Sequence, residues 1–326
     1  MTPQFLQVHS TDFKVKNMKT ITGKSEEKLT KEMKQTYDSF LVDEQTLVQE
    51  HQGKDDSFSK LIMLFYEKIK QSKERKEQYD AYMSIKVLQL VYNTWKNKNN
   101  TDNTYNYDDV SELVVKPGVF SPQFASDSYL WAQHMVKTKV VEDKSVLEMG
   151  AGTGIISFYL HKYGNPIRVV AADINPHAIE NMIENKKRLG IDDKTFSVIN
   201  SDLYSDVQGT FDVIFWAYVW LKLEDQKMID VVENEQDKVI KSLLDSVIDP
   251  KYDMLRTFLR KSKEHLTQDA KLLLITTDFM PNEFVKDMAE SLGYTFSIEK
   301  FTEQTDVVKS AKMVLDLYQI ELRLEK

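Results

Sequence analysis

The chain has 326 residues, 41% of them hydrophobic and 29% charged, as expected of a soluble globular protein with one large or two ordinary domains. It contains no cysteine, which excludes disulfides, cysteine nucleophiles and thiolate metal sites and suits a reducing compartment. Residues 1–109 hold 17 Lys+Arg and 17 Asp+Glu, so the whole net charge of −8 falls on residues 110–326, a sign poorly suited to the phosphate backbone of nucleic acid.

The first residues, Met1-Thr2-Pro3-Gln4-Phe5, lack the basic flank and apolar core of a secretory signal. No apolar run reaches the length that spans a membrane, so a cytoplasmic protein without a membrane partner is expected. Residues 1–40 are polar; Phe5, Leu6, Val8, Phe13 and Val15 suit a short strand or an ordered arm. From Glu27 to about Lys96 the apolar residues recur at helical spacing, as in Leu61, Leu64, Phe65 and Ile69. Two or three helices are predicted, with a turn and helix cap at residues 52–57. Residues 96–109 have no apolar period and many turn formers, and mark a domain boundary. The division is residues 1–109, a mainly helical domain and linker, and residues 110–326, the domain that carries the chemistry.

That second domain begins with Leu113-Val114-Val115-Lys116-Pro117-Gly118-Val119-Phe120-Ser121-Pro122 and a helix through Ser128, Leu130, Trp131 and Met135. A strand follows, ending in Glu148-Met149-Gly150-Ala151-Gly152-Thr153-Gly154, then a helix, then the strand Val169-Val170-Ala171-Ala172-Asp173. Glycines at a strand end let backbone approach a ligand closely. An acid about twenty residues on, at the next strand tip, is placed to accept hydrogen bonds from a ribose diol. Dinucleotide enzymes share both features, but their third glycine falls three residues after the second, where a helix N-terminus meets a pyrophosphate. Here the glycines alternate and Glu148 precedes them. A carboxylate there suits a cationic ligand and repels a pyrophosphate.

Glu148-x-Gly150-x-Gly152-x-Gly154 with Asp173-Ile174-Asn175-Pro176 resembles the class I methyltransferases that use S-adenosyl-L-methionine (SAM). Pro117-Gly118-Val119-Phe120-Ser121-Pro122 is similar to the corresponding segment of the release-factor glutamine and small-domain rRNA methyltransferases. The resemblance spans roughly residues 113–324. It implies an α/β fold, a Rossmann-like sheet of seven strands whose last strand is inserted antiparallel between the fifth and sixth. It also implies SAM as cofactor. The cofactor set it implies is Phe120, Glu148, Gly150, Ala151, Gly152, Thr153, Gly154, Asp173, Ile174, Asn175, Asp202, Leu203, Trp216 and Ala217. Within that set Phe120 is an apolar wall near the sulfonium, Asp202 bonds the adenine amino group and Leu203 lies against the ring.

Later in the chain, Asn175-Pro176 caps a helix that Gly190 ends. Strands are expected at 195–200, 211–216, 271–277, 294–300 and 315–324. Related N-methyltransferases carry Asn-Pro-Pro-Tyr or Asp-Pro-Pro-Tyr after the fourth strand, whereas this chain has Ala217-Tyr218-Val219-Trp220. Ala217 cannot hold a planar amide nitrogen. Three accounts stay open: a different acceptor in an aromatic pocket of Trp216, Tyr218 and Trp220, SAM binding without transfer, or another reaction of SAM. For the first, Tyr218 and Trp220 are the candidate catalytic residues, Tyr218 through its hydroxyl. Residues 221–249 read as one acidic amphipathic helix, a candidate lid over the acceptor. No metal-ligand spacing is evident.

The expected activity is SAM-dependent methyl transfer to a small-molecule or peptide acceptor, on nitrogen in preference to oxygen or carbon. The alternatives are a protein or RNA N-methyltransferase and a non-catalytic SAM-binding protein. Nucleic acid is not the expected partner, and the oligomeric state is not read from the sequence.

Overall fold

The computed structural model describes residues 45–96, 104–107, 110–122, 127–217, 221–277, 282–308 and 313–324. The arm expected within residues 5–15 lies outside them. The described chain opens with helical residues 45–51, and two long helices follow, α1 (Ser57–Gln71) and α2 (Arg75–Lys96). Gly53, at φ +76°, makes the preceding turn, and the Asp56 carboxylate caps α1 by accepting the Ser59 N–H at 2.8 Å. The expected turn and cap are therefore in place.

A short antiparallel pair follows, β1 (Thr104–Tyr107) and β2 (Val110–Val114). The segment read as a domain boundary from its turn formers contains the strand β1. Its Thr-Tyr-Asn-Tyr alternation is the signal that the dense turn formers hid. Helix α3 (Asp127–Lys137) then leads into β3 (Ser145–Met149), α4 (Ile155–Tyr163), β4 (Arg168–Asp173), α5 (Pro176–Arg188), β5 (Phe196–Asn200) and β6 (Phe211–Ala217). After β6 come β7 (Leu221–Leu223), α6 (Gln226–Glu233), α7 (Lys238–Asp245) and β8 (Ile248–Pro250). The chain continues through α8 (Asp253–Ser262), β9 (Leu266–Thr277), α9 (Asn282–Ser291), β10 (Tyr294–Val308) and β11 (Met313–Leu324).

Seven strands form one sheet in the order β10-β11-β9-β6-β3-β4-β5. Strands β5, β4, β3, β6 and β9 are parallel, and β11 runs antiparallel between β9 and β10. This is the expected arrangement, reversed final strand included. Both faces of the sheet are covered at its centre, and β3, β4 and β6 are almost continuously buried. Alternate residues enter two cores. Val146, Val169, Ala171, Val213 and Phe215 join the core that α4 and the N-terminal helices share. Leu147, Val170, Ala172, Ile214 and Trp216 join the core under α8 and α9.

The insertion after β6 departs from the single expected helix. It is two short helices bracketed by a parallel two-stranded ladder, β7 with β8. Asp225 caps α6 through the Lys227 N–H, and Asp237 caps α7 through the Val239 and Ile240 N–H groups. The apolar sides of both helices, with Met228, Ile229, Val232, Ile240, Leu243 and Leu244, pack toward α1 and α2. That face is therefore an interface with the N-terminal helices. No helix among the described residues is long and apolar enough to cross a membrane.

Candidate functional site

The carboxyl ends of β3, β4, β5 and β6 open on one cavity of about 400 Å³, a size usual for small-molecule sites. It lies where strand order reverses, between β3 and β6, as ligands do in open parallel sheets.

The turn after β3 is built from left-handed backbone: Gly150, Gly152 and Gly154 sit at φ +63°, +56° and +78°. Two of the three glycines are needed for a further reason. A Cβ at Gly150 would stand 2.6 Å from Trp216 Nε1, and one at Gly154 would stand 2.7 Å from Phe158 Cε2. A Cβ at Gly152 would meet nothing within 4 Å. The space over Gly152 is open, whereas Gly150 and Gly154 are tied to packing. Gly152→Ala is expected to lose about 1–2 kcal/mol of folding stability through its backbone angle alone. Thermal denaturation and ligand titration of the same sample separate that loss from a methyl group blocking the cavity.

Asp173, at the tip of β4, is 8% exposed. Its Oδ2 accepts the Gly152 N–H at 2.8 Å and its Oδ1 accepts the Asn175 N–H at 2.8 Å. Burial pushes the Asp173 carboxyl up from its ordinary range, and the backbone N–H donors of Asn175, Gly152 and Ile174 partly offset this. The acid thus joins the tips of β3 and β4 while still bordering the cavity. Asn175 accepts the His177 N–H to cap α5 and donates to the Gly118 carbonyl at 2.8 Å. This fastens the Pro117–Pro122 loop beside the site, where Val119, Phe120 and Pro122 form its wall.

Glu148 is 2% exposed and also borders the cavity. One of its oxygens accepts both the Ser157 N–H, at 3.0 Å, and the Ser157 hydroxyl. Burial is the main reason its carboxyl rises to about 8; the Ser157 bonds oppose the rise and the neighbouring Asp173 charge adds to it. At the other end lie Ser201, Asp202 and Leu203, with Ile174. Asp202 is exposed, and its carboxylate bonds to no described residue. Ile174 is an apolar side chain left 59% exposed at the cavity rim, an arrangement that suits a flat heterocycle better than water.

The cavity therefore gathers Phe120, Glu148, Gly150, Ala151, Gly152, Thr153, Asp173, Ile174, Asn175, Asp202, Leu203, Trp216 and Ala217 from the expected set. Gly154 is not in the lining, because it is buried under Phe158 and Met182. Ser121 is buried outside the lining. Trp216 packs on Phe258, 4.9 Å between ring centres, and serves the core as well as the wall. Tyr218 and Trp220 lie outside the described residues. Sequence reasoning missed the far wall, which α7 and the start of α8 supply: Ser242, Asp245, Ser246, Val247 and Met254.

Residues 111–216 match the methyltransferase small domain family. A Methanocaldococcus jannaschii protein named as a protein N5-glutamine methyltransferase is 37% identical over 119 residues, 36% of this chain and 56% of that one. The ribosomal protein L11 methyltransferase of Thermotoga maritima is 31% identical over 161 residues, 48% of this chain and 56% of its own. The ribosomal RNA small subunit methyltransferase C of Aeromonas hydrophila is 26% identical over 198 residues, 61% of this chain and 46% of its own. The chain thus spans about half the length of the curated relatives it matches. Their names specify protein or RNA targets, so setting nucleic acid aside finds no support in them.

Proposed function

We propose that this chain transfers the methyl group of SAM to a nitrogen of a peptide or small-molecule acceptor, a reading supported by the match of residues 111–216 to the methyltransferase small domain family. One observation carries the reading. The Asp173 carboxylate borders the cavity, fixed by the Gly152 N–H, beneath open space over an alternating glycine turn. That is an acceptor pair poised for a ribose diol, beside a backbone surface that a ligand can approach.

When bound, SAM supplies a methyl carbon on a sulfonium, an electrophile that a nitrogen lone pair can attack. The protein's part is to bind and align. Asp173 takes the ribose hydroxyls, Asp202 accepts from the adenine amino group, and Ile174 and Leu203 flank the ring. Glu148 lies toward the cationic part, with Ala151, Gly152 and Thr153 offering backbone. Phe120 and Ala217 give the methyl group an apolar surround. Residues 1–109 select the acceptor, and residues 110–326 carry out transfer.

An RNA base nitrogen is the second reading, favoured by the relative named for ribosomal RNA. The absence of any Lys, Arg or His from the described cavity lining supports the first. Titration calorimetry with SAM and S-adenosylhomocysteine tests the cofactor assignment. Incubation with tritiated SAM and either peptide or RNA pools then tests the acceptor. Failure of both nucleosides to bind at millimolar concentration would overturn the reading. Binding without transfer to any pool would favour a SAM-binding protein that is not an enzyme.

A further inference from the structure

Helix α5 turns two asparagines inward, Asn181 at 1% and Asn185 at 0% exposed. They lie one turn apart, on one face of the helix. A buried carboxamide costs stability unless its polar atoms are bonded, and the partner here is the segment that leads into the site. Asn185 Oδ1 accepts the Val114 N–H at 2.9 Å, and its Nδ2 donates to the Val114 carbonyl at 3.0 Å. Asn181 Oδ1 accepts the Lys116 N–H at 2.6 Å, and its Nδ2 donates to the same Val114 carbonyl at 3.0 Å. Two residues further on, the Gly118 carbonyl accepts from Asn175 Nδ2. Residues 114, 116 and 118 thus each present main-chain groups to α5, the alternation of a strand edge. Three side-chain amides take the place of a neighbouring strand.

This clamp ends where the cavity begins. Val119 alone separates the fastened Gly118 from Phe120, and both Val119 and Phe120 line the cavity. Gly118, at φ +85°, lies so close to α5 that a Cβ there would stand 2.9 Å from His177 Cδ2. The strap therefore has no slack against the first turn of the helix. The same helix starts beside the ribose acid, since Asn175 gives its main-chain N–H to Asp173. One rigid helix fixes both the Asp173 carboxylate and the aromatic wall.

Resting on the SAM reading above, we propose that Asn181 and Asn185 are positioning residues of the methyl transfer. Acting through the strap of residues 114–120, they hold Phe120 where it surrounds the methyl group, so the ligand meets a wall that is already ordered. Neither asparagine lines the cavity. An effect of theirs on the ligand passes through the strap or through α5 itself, and the two routes combine differently with a change at Phe120.

The test titrates the full chain with SAM by calorimetry, with melting temperatures alongside, in a double-mutant cycle of Phe120→Ala and Asn181→Leu. Each single variant should bind SAM roughly tenfold more weakly, the scale of one lost apolar contact. The double variant should also be roughly tenfold weaker, not hundredfold, because Asn181 acts through Phe120. Asn185→Leu should repeat the pattern. A role confined to stability would lower the melting temperature of Asn181→Leu and leave its SAM affinity unchanged, which overturns the proposal. Losses that add in full overturn it too, since Asn181 would then act through α5. Hydrogen exchange of the wild type decides the matter even where a variant does not fold. Free SAM at about ten times its dissociation constant should slow exchange of the Val114 and Lys116 N–H groups about tenfold, because opening the clamp releases the ligand. Unchanged exchange in a chain that binds SAM overturns the proposal alone. A wild-type chain that ignores SAM overturns the cofactor reading and the proposal with it.

Discussion

Asp173→Ala should weaken SAM binding by roughly 3–4 kcal/mol, about 10²- to 10³-fold, because two hydroxyls of a ribose lose charge-assisted hydrogen bonds at once. The carboxylate is nearly buried, so water screens those bonds little. The same change removes the acceptor for the Gly152 and Asn175 N–H groups and loosens the tie between the β3 and β4 tips. Asp173→Asn separates the two effects. The amide keeps one acceptor for Gly152 or Asn175 but carries no charge. It should preserve most of the melting temperature and still lose much of the affinity. Calorimetric affinity within threefold of wild type for Asp173→Ala would remove the ribose assignment.

The strands and the glycine turn were legible because their signals are local. Val146 to Gly154 and Val169 to Asp173 combine an unbroken apolar run with glycines and an acid at fixed offsets, and burial on both sheet faces demands such runs. Asn175-Pro176 likewise announces the start of α5. The insertion was less legible. Its apolar residues form one helical stripe when read continuously, although Asp225 and Asp237 are two separate N-caps. Those caps were the available sign that two helices occupy the segment. Its contact with α1 and α2 could not be read at all, since nothing in either stretch specifies the other. The same holds for Asp245. It borders the cavity only because the insertion folds back so that β7 pairs with β8. Gly154 was assigned to the ligand by its motif, whereas its closest neighbours, Phe158 and Met182, are set by helix packing.

Stability should fall as pH rises from about 4.5 to about 8, and Glu148 should account for roughly 3–5 kcal/mol of that fall at ~1.4 kcal/mol per pH unit. The sign follows from burial. An unfolded Glu148 releases its proton near the ordinary value of 4.5, while the folded one holds it to about 8. Between those limits the native state binds more protons, so each step upward in pH favours the unfolded chain. Above about 8 the loss is complete. Glu148→Gln keeps an acceptor for the Ser157 N–H and carries no proton to lose. Denaturant midpoints of the variant should therefore decline less through this window than those of the wild type, the remaining slope belonging to the raised Asp173 carboxyl and the lowered His51, His134 and His161. A cationic ligand reverses the preference at the same carboxyl, because a nearby positive charge favours the ionised form. SAM binding should then expel a proton, and affinity for the wild type, measured relative to Glu148→Gln, should climb toward pH 8. Calorimetry in phosphate and in Tris reads the proton directly through the difference in buffer ionisation heat. Equal heats in the two buffers at pH 7 would mean that Glu148 does not sense the cation, and the carboxylate before the glycine turn would then serve only to anchor α4 through Ser157.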